Sequence, residues 1–131
     1  MCLSKNYFVY EGRLPSLNEY INACRANHQK GANFKRDSQI AVGWSIRSAW
    51  VKKTLYKANK AVVVHFTYYE RSAKRDIDNV SGFAHKVILD ALVQSGILPD
   101  DSQKWVVGLT DKFVSGSEQD KIVVEIEEVG E

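Results

Sequence analysis

The stretch that most constrains the fold is a run of β-forming residues followed closely by an amphipathic helical pattern. Residues 60–70, KAVVVHFTYYE, combine β-branched and aromatic side chains and predict a buried strand. In residues 79–96, NVSGFAHKVILDALVQSG, apolar side chains recur with 3.6-residue periodicity and predict a helix that stops near Gly96. The expected apolar face of this helix comprises Val80, Ala84, Val87, Ile88, Ala91 and Leu92.

The other segments predict a short strand, a second helix and two closing strands. Residues 6–12, 103–114 and 121–129 are rich in β-formers and predict strands. Residues 35–58 predict a basic helix. Its expected apolar face comprises Ile40, Ala41, Trp44, Val51 and Leu55.

Residues 13–34 predict a long irregular loop, because Pro15, several asparagines and Gly31 interrupt them. A long loop inside a compact domain is often functional or mobile. The expected element order is β-α-β-α-β-β. It indicates one α+β domain over residues 1–131, a mixed sheet of about four strands with two main helices packed largely on one face.

Composition excludes several classes of protein. The chain has 131 residues, 44% of them hydrophobic and 26% charged, as in ordinary globular domains. No segment approaches the roughly 18 apolar residues that span a bilayer, and the polar N-terminus does not resemble a signal peptide, so we expect a cytoplasmic protein without a membrane partner. Cys2 and Cys24 predict neither a disulfide framework nor a zinc site, and the histidines do not cluster (His28, His65 and His85).

The charges divide the chain into a basic and an acidic part. Residues 1–75 carry 14 Lys and Arg against 4 Asp and Glu, a net charge of +10. Residues 76–131 carry 4 against 12, a net charge of −8. The basic part favours an anionic partner and the acidic part a cation. Alternatively, the two parts pair with each other in the fold.

Carboxylates cluster around the predicted helix of residues 79–96. If RDID at residues 75–78 is extended, Asp76 and Asp78 point to the same side with Cα atoms about 7 Å apart, and Ile77 points into the core. Two such carboxylates suit Mg²⁺, which binds few protein oxygens and keeps several waters. An EF-hand is excluded, because a loop beginning at Asp76 has Ser81 and Val87 where glycine and glutamate are required.

The same carboxylates also have a purely structural interpretation. Asp78 or Asn79 is a suitable N-cap for the helix that follows. Asp100 and Asp101 are common turn residues in ILPDDS. The residues alone leave both interpretations open.

RDIDN after a strand, KVILDAL on a helix and then GILPDD together resemble the RusA family of Holliday junction resolvases. The resemblance is best over residues 74–107, and LPSLNEY resembles the family's N-terminal segment. It implies a bacterial or phage homodimer that binds four-way DNA junctions and hydrolyses phosphodiesters with Mg²⁺, or with Mn²⁺ in its place. Other branched DNA as substrate, or junction binding without catalysis, are the alternatives.

The resemblance also implies roles for individual residues. Asp76, Asp78 and Asp101 correspond to the metal-binding aspartates, and Lys86 to a lysine that assists catalysis. Asp90 and Asp100 correspond to supporting acidic positions. Lys86 departs from the pattern, because it follows Asp78 by eight residues, four more than expected. The cations that we expect to contact DNA are Arg25, Lys30, Lys35, Arg36, Lys74 and Arg75.

Overall fold

The computed structural model describes residues 6–129, so expectations for residues 1–5, including Cys2, lie outside the described part of the chain. In chain order the elements are β1 (Tyr7–Glu11), α1 (Leu17–Ala26), α2 (His28–Lys52), β2 (Val62–Glu70), α3 (Ile77–Gln94), β3 (Val106–Ser115) and β4 (Lys121–Glu128). The strands form a sheet of order β1-β4-β2-β3, in which β2 and β3 are parallel and the other neighbours antiparallel. The predicted α+β class with a four-stranded mixed sheet is confirmed. Within residues 6–129, no helix combines the length and apolar character needed to cross a bilayer.

The core lies between one face of the sheet and the helices α2 and α3. Along β2 every second side chain is buried, from Val62 to Tyr68, and those between them are half-buried. Only one face of the sheet is therefore covered by helices. All six residues of the predicted apolar face of α3 are buried against it. Each Val, Ile or Leu among them contributes about 1.5–3 kcal/mol by leaving water.

The irregular loop predicted for residues 13–34 is wrong, because α1 and the start of α2 occupy most of it. The Ser16 hydroxyl accepts a hydrogen bond from the Glu19 N–H (3.2 Å), and the Glu19 carboxylate accepts one from the Ser16 N–H (2.9 Å). This capping box starts α1. Asn27 then ends α1, and its side chain accepts hydrogen bonds from two N–H groups in the first turn of α2. Asn27, one of the asparagines that led us to predict a loop, is therefore a helix cap.

The apolar face predicted for the second helix is also wrong. Ile40, Trp44 and Val51 are 54%, 67% and 69% exposed. Leu55 is buried but lies beyond the end of α2 at Lys52. The buried face comprises smaller residues, Gly31, Ser38, Val42, Ile46 and Ala49. Gly31, Ser38 and Ala49 let α2 approach its neighbours closely, while Ile40, Trp44 and Val51 face outward.

Helix α3 runs from the end of β2 back to the start of β2. Its first turn follows the end of β2, where Arg75 pairs with Glu70. Its last turn lies near the start of β2, where the Ala58 N–H donates to the Ile97 carbonyl (2.9 Å). The side chains before and after α3 therefore lie at opposite ends of the molecule.

Candidate metal and DNA site

Asp76 and Asp78 lie together at the N-terminus of α3. Asp76 is the N-cap residue, with extended backbone (φ −68°, ψ 140°), and its side chain makes no capping hydrogen bond. Asp78 lies in the first turn of the helix. Both are exposed and lie at the helix end that carries a partial positive charge. Two carboxylates without a capping role provide the oxygen donors that a hard cation such as Mg²⁺ takes.

Two details of this segment differ from the sequence-based expectations. The helix begins at Ile77, so RDID is not a continuous strand, and Ile77 is 62% exposed instead of pointing into the core. The N-cap is Asp76 and not Asp78 or Asn79. The Asn79 side chain instead accepts a hydrogen bond from the Asn18 N–H (2.9 Å) and so ties α3 to α1. The capping interpretation of Asp78 and Asn79 is therefore wrong.

Basic side chains surround the segment that leads into α3. A cavity of about 260 Å³ lies beside it. Its lining residues are Arg13, Glu70, Arg71, Ser72, Lys74, Arg75 and Asp120. Of the expected DNA contacts, Lys74 is exposed, whereas Arg75 is largely buried, paired with Glu70 and donating to the Leu14 carbonyl (3.0 Å). Arg75 therefore fixes the segment that presents Lys74 and Asp76.

Asp100 and Asp101 lie at the other end of α3. The Asp100 carboxylate accepts a hydrogen bond from the Asp101 N–H (2.9 Å), as expected of a turn, and both residues are exposed. The 18 residues of α3 put about 27 Å between its two ends. Among residues 6–129, no three His, Cys, Asp or Glu side chains come together as a metal site. One chain thus brings Asp76 and Asp78 together but does not bring Asp101 to them.

The remaining predicted residues on α3 have different environments. Lys86 is exposed, about 12 Å along the helix from Asp78 and roughly 80° around its axis. Helix α3 is continuous from Ile77, so no residues loop out between Asp78 and Lys86 to shorten that distance. Asp90 forms an ion pair with Lys35 (2.6 Å) that joins α3 to α2.

The other cations expected to contact DNA lie on α1 and α2. Arg25 and Lys30 are exposed at the junction of the two helices. Arg36 is exposed and donates to the Asn33 side chain (2.8 Å). Lys35 is engaged by Asp90, so its charge is already partly compensated within the fold.

Sequence reasoning missed a polar cluster between α3 and the sheet. Asp111 on β3 accepts a hydrogen bond from the Tyr68 hydroxyl (2.7 Å), and its same oxygen lies 2.8 Å from Nε2 of His85. The His85 ring also packs on Phe66, with centroids 4.7 Å apart. Burial, then the hydrogen bond and charge of Asp111, raise the pKa of Tyr68 far above its ordinary value. The sequence signal was the β-forming composition of residues 60–70, which predicted a buried strand but not the acceptor of Tyr68.

A small α+β domain that presents carboxylates and cations beside one helix terminus has the chemistry of proteins that act on phosphodiesters. A family model described as endodeoxyribonuclease RusA matches residues 4–127, nearly the whole chain. The chain belongs to the RusA family of endodeoxyribonucleases, and the resemblance seen in the sequence is confirmed. No curated protein sequence gives a significant match.

Proposed function

We propose that this protein is a Mg²⁺-dependent endonuclease that resolves four-way DNA junctions by paired, symmetric nicks, in recombination and repair. The observation that carries the proposal is the family match over residues 4–127, together with the carboxylates of Asp76 and Asp78, which make no capping hydrogen bond to the helix. The alternative is a nuclease for other branched DNA, which would use the same residues.

In this proposal Asp76 and Asp78 bind the metal at the N-terminus of α3. A bound Mg²⁺ supplies a water of lowered pKa and positive charge for the scissile phosphate. Lys74 lies two residues before Asp76 and contacts a neighbouring phosphate, while Arg75 holds the segment through Glu70 and the Leu14 carbonyl. Lys86 places a further positive charge on the same helix. The two carboxylates repel each other, so bound metal stabilises the fold.

The separation of about 27 Å along α3 supports a homodimer in which each site takes residues from both subunits. Asp101 joins Asp76 and Asp78 only if it comes from the other subunit. A two-fold dimer would then hold two such sites, as paired nicking requires. Neither site would be complete in a monomer.

Strand β3 is the surface that suits this dimer. It has ten residues and pairs only with β2 within residues 6–129, so its other edge is unpaired. An unpaired edge is a template for another strand. Antiparallel pairing of two β3 strands about a two-fold axis would place the start of one strand beside the end of the other. Asp101 precedes β3, and Ile77 lines a cavity with Val114 and Ser115 at its end, so this pairing would bring the two sets of aspartates together.

The first experiment compares a labelled four-way junction with linear duplex, flap and three-way substrates. Mg²⁺, Mn²⁺ and EDTA are tested in parallel with wild type and Asp78→Asn. We expect paired nicks in the four-way junction, dependence on Mg²⁺ or Mn²⁺, and loss of cutting but not of binding in the variant. Preference for flaps would favour the alternative nuclease. Tight junction binding without cutting under any metal would leave a binding protein and overturn the proposal.

The second experiment tests the shared site by mixing two inactive variants. In a heterodimer of Asp78→Asn and Asp101→Asn, one shared site carries both substitutions and the other carries neither. We therefore expect the mixture to regain single nicks without paired resolution. Sites confined to one subunit would give no activity in the mixture. Leu109→Arg, on the exposed edge strand, is expected to yield a folded monomer without cutting, as measured by sedimentation and circular dichroism.

A further inference from the structure

A cavity lies between the C-terminal half of α2 and the turn that ends α3, at the end of α3 remote from Asp76 and Asp78. Its volume is about 340 Å³, within the range of about 300–1,000 Å³ typical of small-ligand sites. The lining residues are Gly43, Ile46, Arg47, Trp50, Lys57, Ser95 and Ile97. Ile46 and Ile97 are buried and form an apolar floor. The Trp50 indole is 50% exposed at the side.

The charged residues that line this cavity are all basic. Arg47 and Lys57 line it, and no lining residue is acidic. In sequence, no Asp or Glu occurs from residue 38 to residue 69. Within residues 6–129, the side chains of Arg47 and Lys57 make no ion pair or hydrogen bond. Both cations are therefore available to an anionic ligand.

An exposed indole beside two available cations over an apolar floor fits a nucleotide. An aromatic ring stacks on any base, and neighbouring Lys or Arg side chains bind the phosphates on either side of it. A paired base in a duplex presents only its edges, so the stacking surface is accessible only in an unpaired nucleotide. A second copy of this chain is disfavoured as occupant, because its own Arg47 and Lys57 would approach like charges.

We propose that this cavity binds one unpaired nucleotide of a DNA strand, with the base stacked on Trp50 and its phosphates on Arg47 and Lys57. The proposal goes beyond the nuclease site, since it uses no residue of that site and requires no metal. It assigns to the α2 surface a contact with bases that have left the duplex. Such bases occur in single strands and at the centre of a distorted junction.

The test uses an eight-residue oligothymidine, an abasic oligonucleotide of equal length and a matched duplex, all in EDTA. Binding is measured by fluorescence anisotropy and by quenching of tryptophan emission. EDTA prevents cutting, so the outcome does not depend on whether the nuclease proposal is correct.

The variants separate stacking from charge. Trp50→Leu is expected to weaken oligothymidine binding at least fivefold and leave abasic binding within twofold of wild type. Arg47→Gln and Lys57→Gln are expected to weaken both ligands at least threefold. Trp44→Leu, on the same helix but outside the cavity, and Lys52→Gln are the matched controls, expected to change either affinity by less than twofold.

Three outcomes would overturn the proposal. Equal affinity of wild type for the abasic and thymidine ligands would leave only a phosphate-binding surface. Equal effects of Trp50→Leu and Trp44→Leu would remove the cavity from the contact. A concentration-dependent dimer that disappears in Arg47→Gln would make the surface a contact between copies of the chain. The comparison of thymidine with abasic ligands uses the wild-type protein alone, so the test stays decisive if Trp50→Leu fails to fold.

Discussion

Nζ of Lys35 lies 2.6 Å from Oδ2 of Asp90, an ion pair that joins α2 to α3 across 55 residues of sequence. The two side chains are 32% and 35% exposed, so water screens the pair only in part. The sequence alone led us to expect Lys35 at DNA and Asp90 in support of the metal site. In the fold, each is the other's partner.

We therefore expect Lys35→Met and Asp90→Asn to affect stability more than activity. Each should lower the free energy of unfolding by about 1 kcal/mol or less, as for partly exposed ion pairs, and the double variant should lose less than the sum. Urea unfolding of the four proteins in a double-mutant cycle measures this coupling. Junction cutting should stay within threefold of wild type. A Lys35→Met protein of unchanged stability that no longer binds DNA would restore the original assignment.

The two glycines within α2 should respond oppositely to alanine. A Cβ at Gly31 would lie 2.6 Å from Sγ and 2.9 Å from Cα of Cys24 on α1, whereas a Cβ at Gly43 would meet nothing within 4 Å. Gly31→Ala should cost about 1–3 kcal/mol by forcing α1 away from α2. Gly43→Ala should add about 0.5–1 kcal/mol to the free energy of unfolding, because alanine has a higher helix propensity than glycine and its Cβ meets no neighbour here.

Thermal unfolding of both variants and wild type measures this difference. Gly43→Ala is the matched control, since the chemical change is the same and only the neighbouring atoms differ. If both variants shifted in the same direction, helix propensity would outweigh the contact with Cys24.

Helix α2 shows why one part of this fold was predictable and another was not. On α3 the apolar residues recur regularly, and their periodicity identified six of the seven buried positions between Val80 and Leu92, all but Phe83. On α2 three large apolar residues, Ile40, Trp44 and Val51, are exposed, and the buried face mixes Val42 and Ile46 with the small residues Gly31, Ser38 and Ala49. Close helix packing selects small residues, and hydrophobicity does not detect them.

The same distinction applies to the candidate site, where the sequence predicts contacts between neighbouring residues but not contacts that depend on the tertiary fold. Asp76 and Asp78 are close in sequence, and the helix that begins at Ile77 keeps them close in space. The position of Asp101, at the end of α3 remote from Asp76, depends on the direction in which α3 returns, and no local pattern contains that direction. Likewise, the contact of Asp111 with Tyr68 depends on the register between β2 and β3.

Tyr68 should make the protein sensitive to alkali. Its pKa is raised in the fold by burial, by the hydrogen bond to Asp111 and by the charge of that carboxylate, while in the unfolded chain it is about 10. Its contribution to stability is therefore fully present below about pH 10 and falls as the pH rises above that value. At neutral pH the free energy of unfolding of Tyr68→Phe should be about 1–2 kcal/mol lower than that of wild type, because the variant lacks a hydrogen bond to a charged acceptor. Between neutral pH and pH 11 the variant should lose less stability than wild type does.

Urea unfolding of wild type and Tyr68→Phe between pH 7 and pH 11 checks this expectation. In wild type, the absorbance of one phenolate should appear only when the protein unfolds. An identical pH dependence in Tyr68→Phe would mean that another group controls alkaline unfolding.

Lys86 is the residue for which the geometry makes the sharpest catalytic prediction. It lies about 12 Å along α3 from Asp78, and the lean of side chains toward the helix N-terminus recovers only part of that distance. Single-turnover cutting at saturating protein separates chemistry from binding. Asp78→Asn should lower this rate by about 100-fold or more, the scale of losing one group that stabilises transition-state charge. Lys86→Met should lower the cutting rate by less than about tenfold, since solvent and salt screen the charge of a distant cation more strongly.

Lys86→Arg and Lys104→Met complete the comparison. Arginine keeps the charge and reaches slightly further, so Lys86→Arg should retain most of the rate if charge is what matters. Lys104 is an exposed lysine near Asp101, and its loss should leave the rate within twofold of wild type. If Lys86→Met were as slow as Asp78→Asn, the ammonium group would have to reach the scissile phosphate. The DNA would then run along α3 from its N-terminus to Lys86, and would not cross only the first turn.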